Sequence, residues 1–226
     1  MTGSVDHRRI GEVMAGGGEA AELFGAAVAA LGEVASGDGA LRAVRHPLGF
    51  LCLPVRREGV HGVCVHVFDD GAHRAATGLT TSPVHAHSWD LASCVLYGEV
   101  GNLRVRVRDR PDDPSHRVFE VHSGPGSVDE IRPTARLVRW EPAERETSGP
   151  GRIYTLPAGE FHATVVPPGV HAATLLYGRL LPGRFDMTLG PVHGALHRVV
   201  RQTCDAAQTV RAARDVLRRL DGRPTR

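Results

Sequence analysis

Thirteen histidines in 226 residues are the richest source of chemistry in this sequence. His85 and His87 stand at i and i+2 in Pro83-Val84-His85-Ala86-His87-Ser88-Trp89-Asp90. On a β-strand that spacing puts both imidazoles on one face, where they can share a metal ion. A chain this rich in histidine contains on the order of one H-x-H by chance. The run Gly151-Arg152-Ile153-Tyr154-Thr155-Leu156-Pro157-Ala158-Gly159-Glu160-Phe161-His162, or G-x5-P-x-G-x2-H, is more specific. Chance would supply it roughly once in a hundred such chains. Pro157 and Gly159 specify a tight turn, and His162 begins the strand that follows.

Together the two runs resemble the motifs of the cupin superfamily, G-x5-H-x-H-x3-E-x6-G and G-x5-P-x-G-x2-H-x3-N. His85, His87 and Gly98 match the first; Gly151, Pro157, Gly159 and His162 match the second. The opening glycine slot falls on Leu79, with Gly78 one residue early. The glutamate slot falls on Leu91 and the asparagine slot on Val166, neither a metal ligand. The resemblance spans about residues 45–180, with a long segment between the motifs. It implies an all-β cupin double-stranded β-helix barrel with a metal held inside by His85, His87 and His162.

Three neutral imidazoles leave the ion its full charge, which favours a small anionic substrate bound directly to it. Imidazole suits Fe, Cu, Ni and Zn, so ligand type leaves the metal open. Three-histidine cupins include thiol dioxygenases of the cysteine-dioxygenase type and diketone-cleaving enzymes. The resemblance therefore implies an Fe(II)-dependent, O2-using dioxygenase or oxygenase, an oxidoreductase. Two alternatives share the fold: a Zn, Ni or Mn isomerase or lyase, and a non-catalytic cupin that binds a small ligand or metal.

Other side chains fall near these motifs. Asp90 neighbours the empty glutamate slot; it joins the ligands if its strand bulges and otherwise faces out or caps a turn. Leu103-Arg104-Val105-Arg106-Val107-Arg108 alternates strictly. Either Arg104 or Arg106 points inward to a substrate carboxylate, or both face solvent while Leu103, Val105 and Val107 fill the core. His66 lines the cavity or serves as a structural histidine. Tyr97, Tyr154 and Tyr177 lie on expected strands, as proton donors, substrate clamps or core residues. Trp89 shields the site or packs at the barrel mouth. His193 and His197 are expected at the surface.

The elements that must position these groups follow from periodicity. Leu23, Val28 and Leu31 recur near helical spacing from Glu19 to Val34, and Gly37 ends the helix. Strands are expected near Phe50–Val55, Gly62–Phe68, Val84–His87, Ala92–Val100, Asn102–Arg108, Arg117–His122, Ala135–Trp140, Arg152–Leu156, Phe161–Val166 and Ala172–Tyr177. Asp205 caps a last helix with Val210, Ala213, Val216, Leu217 and Leu220 on one face. The expected organisation is an N-terminal helical segment over 1–44, a cupin barrel over 45–190, and a C-terminal helix and tail over 191–226.

Composition removes other classes. All 27 basic residues are arginine. A chain without lysine cannot form a lysine Schiff base, a P-loop or a protein-kinase site. A formal charge of +2 gives no case for nucleic acid, and no G-x-S-x-G surrounds a serine. Cys52, Cys64, Cys94 and Cys204 lack C-x-x-C spacing, and three of them sit in apolar runs that suggest buried, inert thiols. The apolar run from Leu23 to Leu31 starts late and follows Glu12, Glu19 and Glu22, unlike a signal peptide. With no stretch of membrane-spanning length, a cytoplasmic protein is expected; the family resemblance adds a homodimer.

Overall fold

Side-chain alternation along the strands sets the architecture of the computed structural model, which describes residues 6–69, 79–167 and 169–222. Gly78, the near match to the opening glycine, lies outside these residues. The chain begins with α1 (His7–Glu12), whose first turn is capped by the Asp6 carboxylate. A π-helical stretch, Val13–Gly17, leads to α2 (Ala20–Ser36). Gly37 ends α2 in the left-handed conformation, as its position suggests. Leu23, Ala27, Ala30, Leu31 and Ala35 face the core. Val28 is exposed instead, because five residues beyond Leu23 carry it about 140° around the helix.

The strands are β1 (Val44–His46), β2 (Phe50–Glu58), β3 (His61–Phe68), β4 (His85–Ala86), β5 (Trp89–Tyr97), β6 (Val100–Asp109) and β7 (His116–Ser123). They continue as β8 (Val128–Ser148), β9 (Ile153–Leu156), β10 (His162–Val165), β11 (Ala172–Leu180), β12 (Asp186–Gly190), β13 (His197–Val200) and β14 (Gln202–Thr203). The chain closes with α3 (Ala206–Asp221), held by a capping box between Asp205 and Gln208. The expected strands fall on β2 to β11; β1, β12, β13 and β14 carry no comparable apolar run.

Antiparallel pairing gives two seven-stranded sheets, β14-β1-β2-β3-β11-β5-β9 and β13-β8-β6-β10-β4-β12-β7. The 21-residue β8 also pairs with β7, which closes β8, β6, β10, β4, β12 and β7 into a ring. This is where the long inter-motif segment goes. Val84, Ala86, Val105, Val118, Val138, Phe161, Ala163 and Leu189, from the ring strands and the residues just before β4 and β10, pack together as its core.

In the first sheet, alternation separates two faces. Leu51, Leu53, Val63, Val65, Leu96 and Leu175 pack under α2 and α3. Phe50, Phe68, Leu91, Val95, Tyr154 and Leu176 form a second cluster on the other face, with Cys52, Cys64 and Trp89 against it. The candidate site looks onto that inner face.

Candidate metal centre

The two motifs are joined by strand pairing and by one turn. His162 on β10 is the register partner of His85 on β4. Directly opposed residues project to the same side, so the two imidazoles face each other. Gly159, at φ +86°, turns the chain so that its N–H donates to the His87 carbonyl at 2.8 Å. That bond draws the second motif against the end of the first. Gly98 closes the first motif at φ +74°, where a Cβ would lie 2.2 Å from the His171 carbonyl oxygen. Only glycine fits there.

The three rings form a cluster with centroid separations of 4.3 Å (His85–His162), 4.9 Å (His85–His87) and 5.1 Å (His87–His162). One nitrogen from each lies within 4.8 Å of the others. His162 is buried, while His85 and His87 are half-buried. The Nδ1 atoms of His85 and His162 lie 3.0 and 3.2 Å from the carbonyl oxygens of Pro83 and Glu160. A carbonyl only accepts, so each Nδ1 carries the proton and Nε2 keeps its lone pair. Burial is the main force pushing all three imidazoles below their ordinary pKa; His162 reaches about 3 and His87 falls well below 6.5. Neutral rings with fixed tautomers and backbone carbonyls behind them fit a transition-metal ion.

Arg104 is the register partner of His162 from the other side. It therefore shares the site face, ion-paired with Glu160 and donating to the Thr155 carbonyl at 3.0 Å. Alternation along β6 holds, with Leu103, Val105 and Val107 in the ring core. The face opposite that core carries the site at Arg104 and solvent at Arg106, which pairs with Glu141 at 3.0 Å. Arg106 is thus a surface residue. Trp89 lies beside His87, ring centroids 4.5 Å apart, and against Gly178, where a Cβ would lie 2.6 Å from the indole.

Asp90 is held elsewhere. Its carboxylate accepts from the Ala158 N–H at 3.1 Å and from Arg179 at 2.8 Å, and is not among the grouped ligands. It caps the Pro157–Gly159 turn from outside. Tyr177 pairs with Val63 and Ala92, on the face under the helices. Its hydroxyl meets His61 Nδ1 at 2.7 Å, away from the site. A register shift opposite Ala173/Thr174 turns Tyr97 to the same outer face, where Arg219 stands 5.9 Å from its ring. Of the three tyrosines only Tyr154 faces inward. Burial raises its pKa, opposed by the polar side chains of Ser93, Asn102 and Thr174. His193 is exposed, and His197 lies on β13, bonded to Thr80 rather than paired with His193 on a helix.

Several interior residues escape motif reasoning. Glu160 holds Arg104, and its carbonyl orients His162. Asp186 accepts from the Ser88 N–H at 2.6 Å, and its charge favours protonation of His85. His46 stacks on Phe50 at 4.3 Å, and burial pushes its pKa well down. His46 and His66 also lower the His87 pKa, which places both near the centre. Cys94 and Cys204 are buried, but Cys52 and Cys64 are half-buried on the inner face beside His66. Odd positions in β2 and β3 carry the helix-side core, so the even-numbered thiols point inward.

No family model matches the chain, and no curated protein matches it. Among solved structures it is similar to the polyketide cyclase RemF from Streptomyces resistomycificus, at 16% identity, 65% of this chain, 73% of that one and a TM-score of 0.35. A cupin superfamily protein from Desulfitobacterium hafniense shares 12% identity over 58% and 78% of the two chains, TM-score 0.34. A cupin-like protein from Thermotoga maritima shares 12% over 63% and 77%, TM-score 0.36. Two antiparallel sheets flanked by helices bring three histidines together, from β4, the residue just after it and β10.

Proposed function

We propose that the chain is a mononuclear metal enzyme that uses Fe(II) and O2 to oxidise a small anionic substrate, as a dioxygenase or oxygenase. The carrying observation is the preset tautomer: the carbonyls of Pro83 and Glu160 take the Nδ1 protons of His85 and His162. Nε2 is then free on both, and burial keeps all three rings neutral, so an ion need not displace a proton. When bound, iron supplies Lewis acidity and a redox couple for O2.

The chain's own residues do the rest. His85, His87 and His162 hold the ion and add no negative charge, which leaves room for an anionic substrate. Arg104 supplies a guanidinium on the site face, able to exchange Glu160 for a substrate carboxylate. Trp89 covers the His87 side. The partial exposure of His85 and His87 supports entry from their side, with His162 at the closed end.

The test is elemental analysis of anaerobically purified protein, wild type beside His85→Ala and His162→Ala, followed by O2-uptake screening of small acids and thiols. Near-stoichiometric iron lost in both variants, with substrate-dependent O2 consumption, is the expected result. Full zinc, nickel or manganese without O2 consumption would replace it with isomerase or lyase chemistry. No metal in any of the proteins would leave a ligand-binding protein.

A further inference from the structure

We propose that Cys52, Cys64 and His66 form a second metal site, for a thiophilic ion such as Zn2+ or Cu(I), on the inner face of the first sheet. The three sit on neighbouring antiparallel strands, with Cys52 opposite His66 and Cys64 opposite Pro54. They therefore occupy two adjacent inward rows. The Cys64 Sγ lies 3.4 Å from His66 Nε2, and one ligand atom from each residue falls within 4.8 Å of the other two. Phe50 and Phe68 flank the His66 ring at 4.5 and 6.4 Å between centroids, which fixes its plane.

Donor chemistry separates this group from the three histidines. Two sulfurs and one imidazole are a soft set, suited to zinc or Cu(I), whereas three imidazoles suit harder divalent ions as well. Cys2His supplies three corners of a tetrahedron and leaves the fourth open. Packing against the inner apolar cluster does not by itself account for two thiols and an imidazole side by side. Cys94 and Cys204 fill core in the helix-side cluster and are buried there. Cys52 and Cys64 remain half-buried on the opposite face, side by side with a histidine.

This inference does not depend on the proposed oxygenase activity. It is tested by titrating Co2+ into the reduced, metal-free full-length protein under anaerobic conditions. The expected result is a sulfur-to-cobalt charge-transfer absorption in the near ultraviolet. It is lost in Cys52→Ser and in Cys64→Ser and retained in His162→Ala. Absence of the band at saturating Co2+, or its persistence in Cys52→Ser, overturns the proposal. Loss of the band in His162→Ala would assign the thiols to the three-histidine ion and also overturn a separate site. Should the serine variants not fold, zinc-edge X-ray absorption of wild type loaded with two equivalents decides. Sulfur scatterers at about 2.3 Å are expected, and a shell of nitrogen and oxygen alone refutes the site.

Discussion

His162 links the candidate centre to the acid stability of the metal-free protein. Its imidazole ionises at about 3 in the folded chain, against an ordinary value of 6.5, because burial disfavours the charged ring and His85 stands beside it. Between those values the unfolded chain binds a proton that the folded chain refuses. Stability is therefore fully present above about pH 6.5 and lost progressively as the pH falls toward 3. At pH 5 the loss from this one residue is about 2 kcal/mol, from about 1.4 kcal/mol per pH unit below 6.5. The assay is urea unfolding at pH 8 and pH 5 with a chelator present, wild type beside His162→Gln. With a slope of about 2–3 kcal/mol/M, wild type should lose about 0.7–1 M more in midpoint than the variant. His85 and His87 remain in both proteins and contribute in the same direction to each. If the two proteins lose the same stability to within about 0.5 kcal/mol, His162 is not held neutral by burial and the tautomer argument fails with it.

Gly98→Ala should cost about 2–5 kcal/mol, since a left-handed backbone is strained for alanine and the new methyl meets the His171 carbonyl. A denaturation midpoint lowered accordingly checks this, and an unchanged one refutes the close approach. Asp205→Ala removes the carboxylate that accepts from the Gln208 N–H and should cost about 1 kcal/mol, measured the same way.

The three-histidine group was legible because each part of it is local. The i, i+2 spacing sets His85 and His87, and the Pro157–Gly159 turn sets His162. The only long-range fact required is that β4 and β10 are neighbours, which the motif resemblance supplied. What stayed hidden depends on register or on which face of a strand matters. Strict alternation in β6 correctly separated Leu103, Val105 and Val107 from the arginines, but it could not reveal that the polar face passes the site at Arg104 and leaves it by Arg106. Tyr97 turns outward through an irregularity in β5 that no residue type announces. Asp90 faces out because its partners, Ala158 and Arg179, lie far along the chain. Cys64 and His66 share a face by the same i, i+2 spacing, but only the β2–β3 register brings Cys52 to them.

The closed ring of the second sheet also limits how copies of this chain could associate. Six of its strands have a neighbour on each side. However, β8 meets β7 along 129–138 and β6 along 138–148, so among the described residues its 139–148 half is paired along one edge alone. Among the described residues, the strands with a single neighbour are β9, β13 and β14, of 4, 4 and 2 residues. Strands that short make poor templates for an incoming strand, which leaves the 139–148 half of β8 as a longer one. Pro142 and the charges of Arg139, Glu141, Glu144, Arg145 and Glu146 blunt that edge, so runaway edge-to-edge polymerisation meets a guarded strand rather than an absent one.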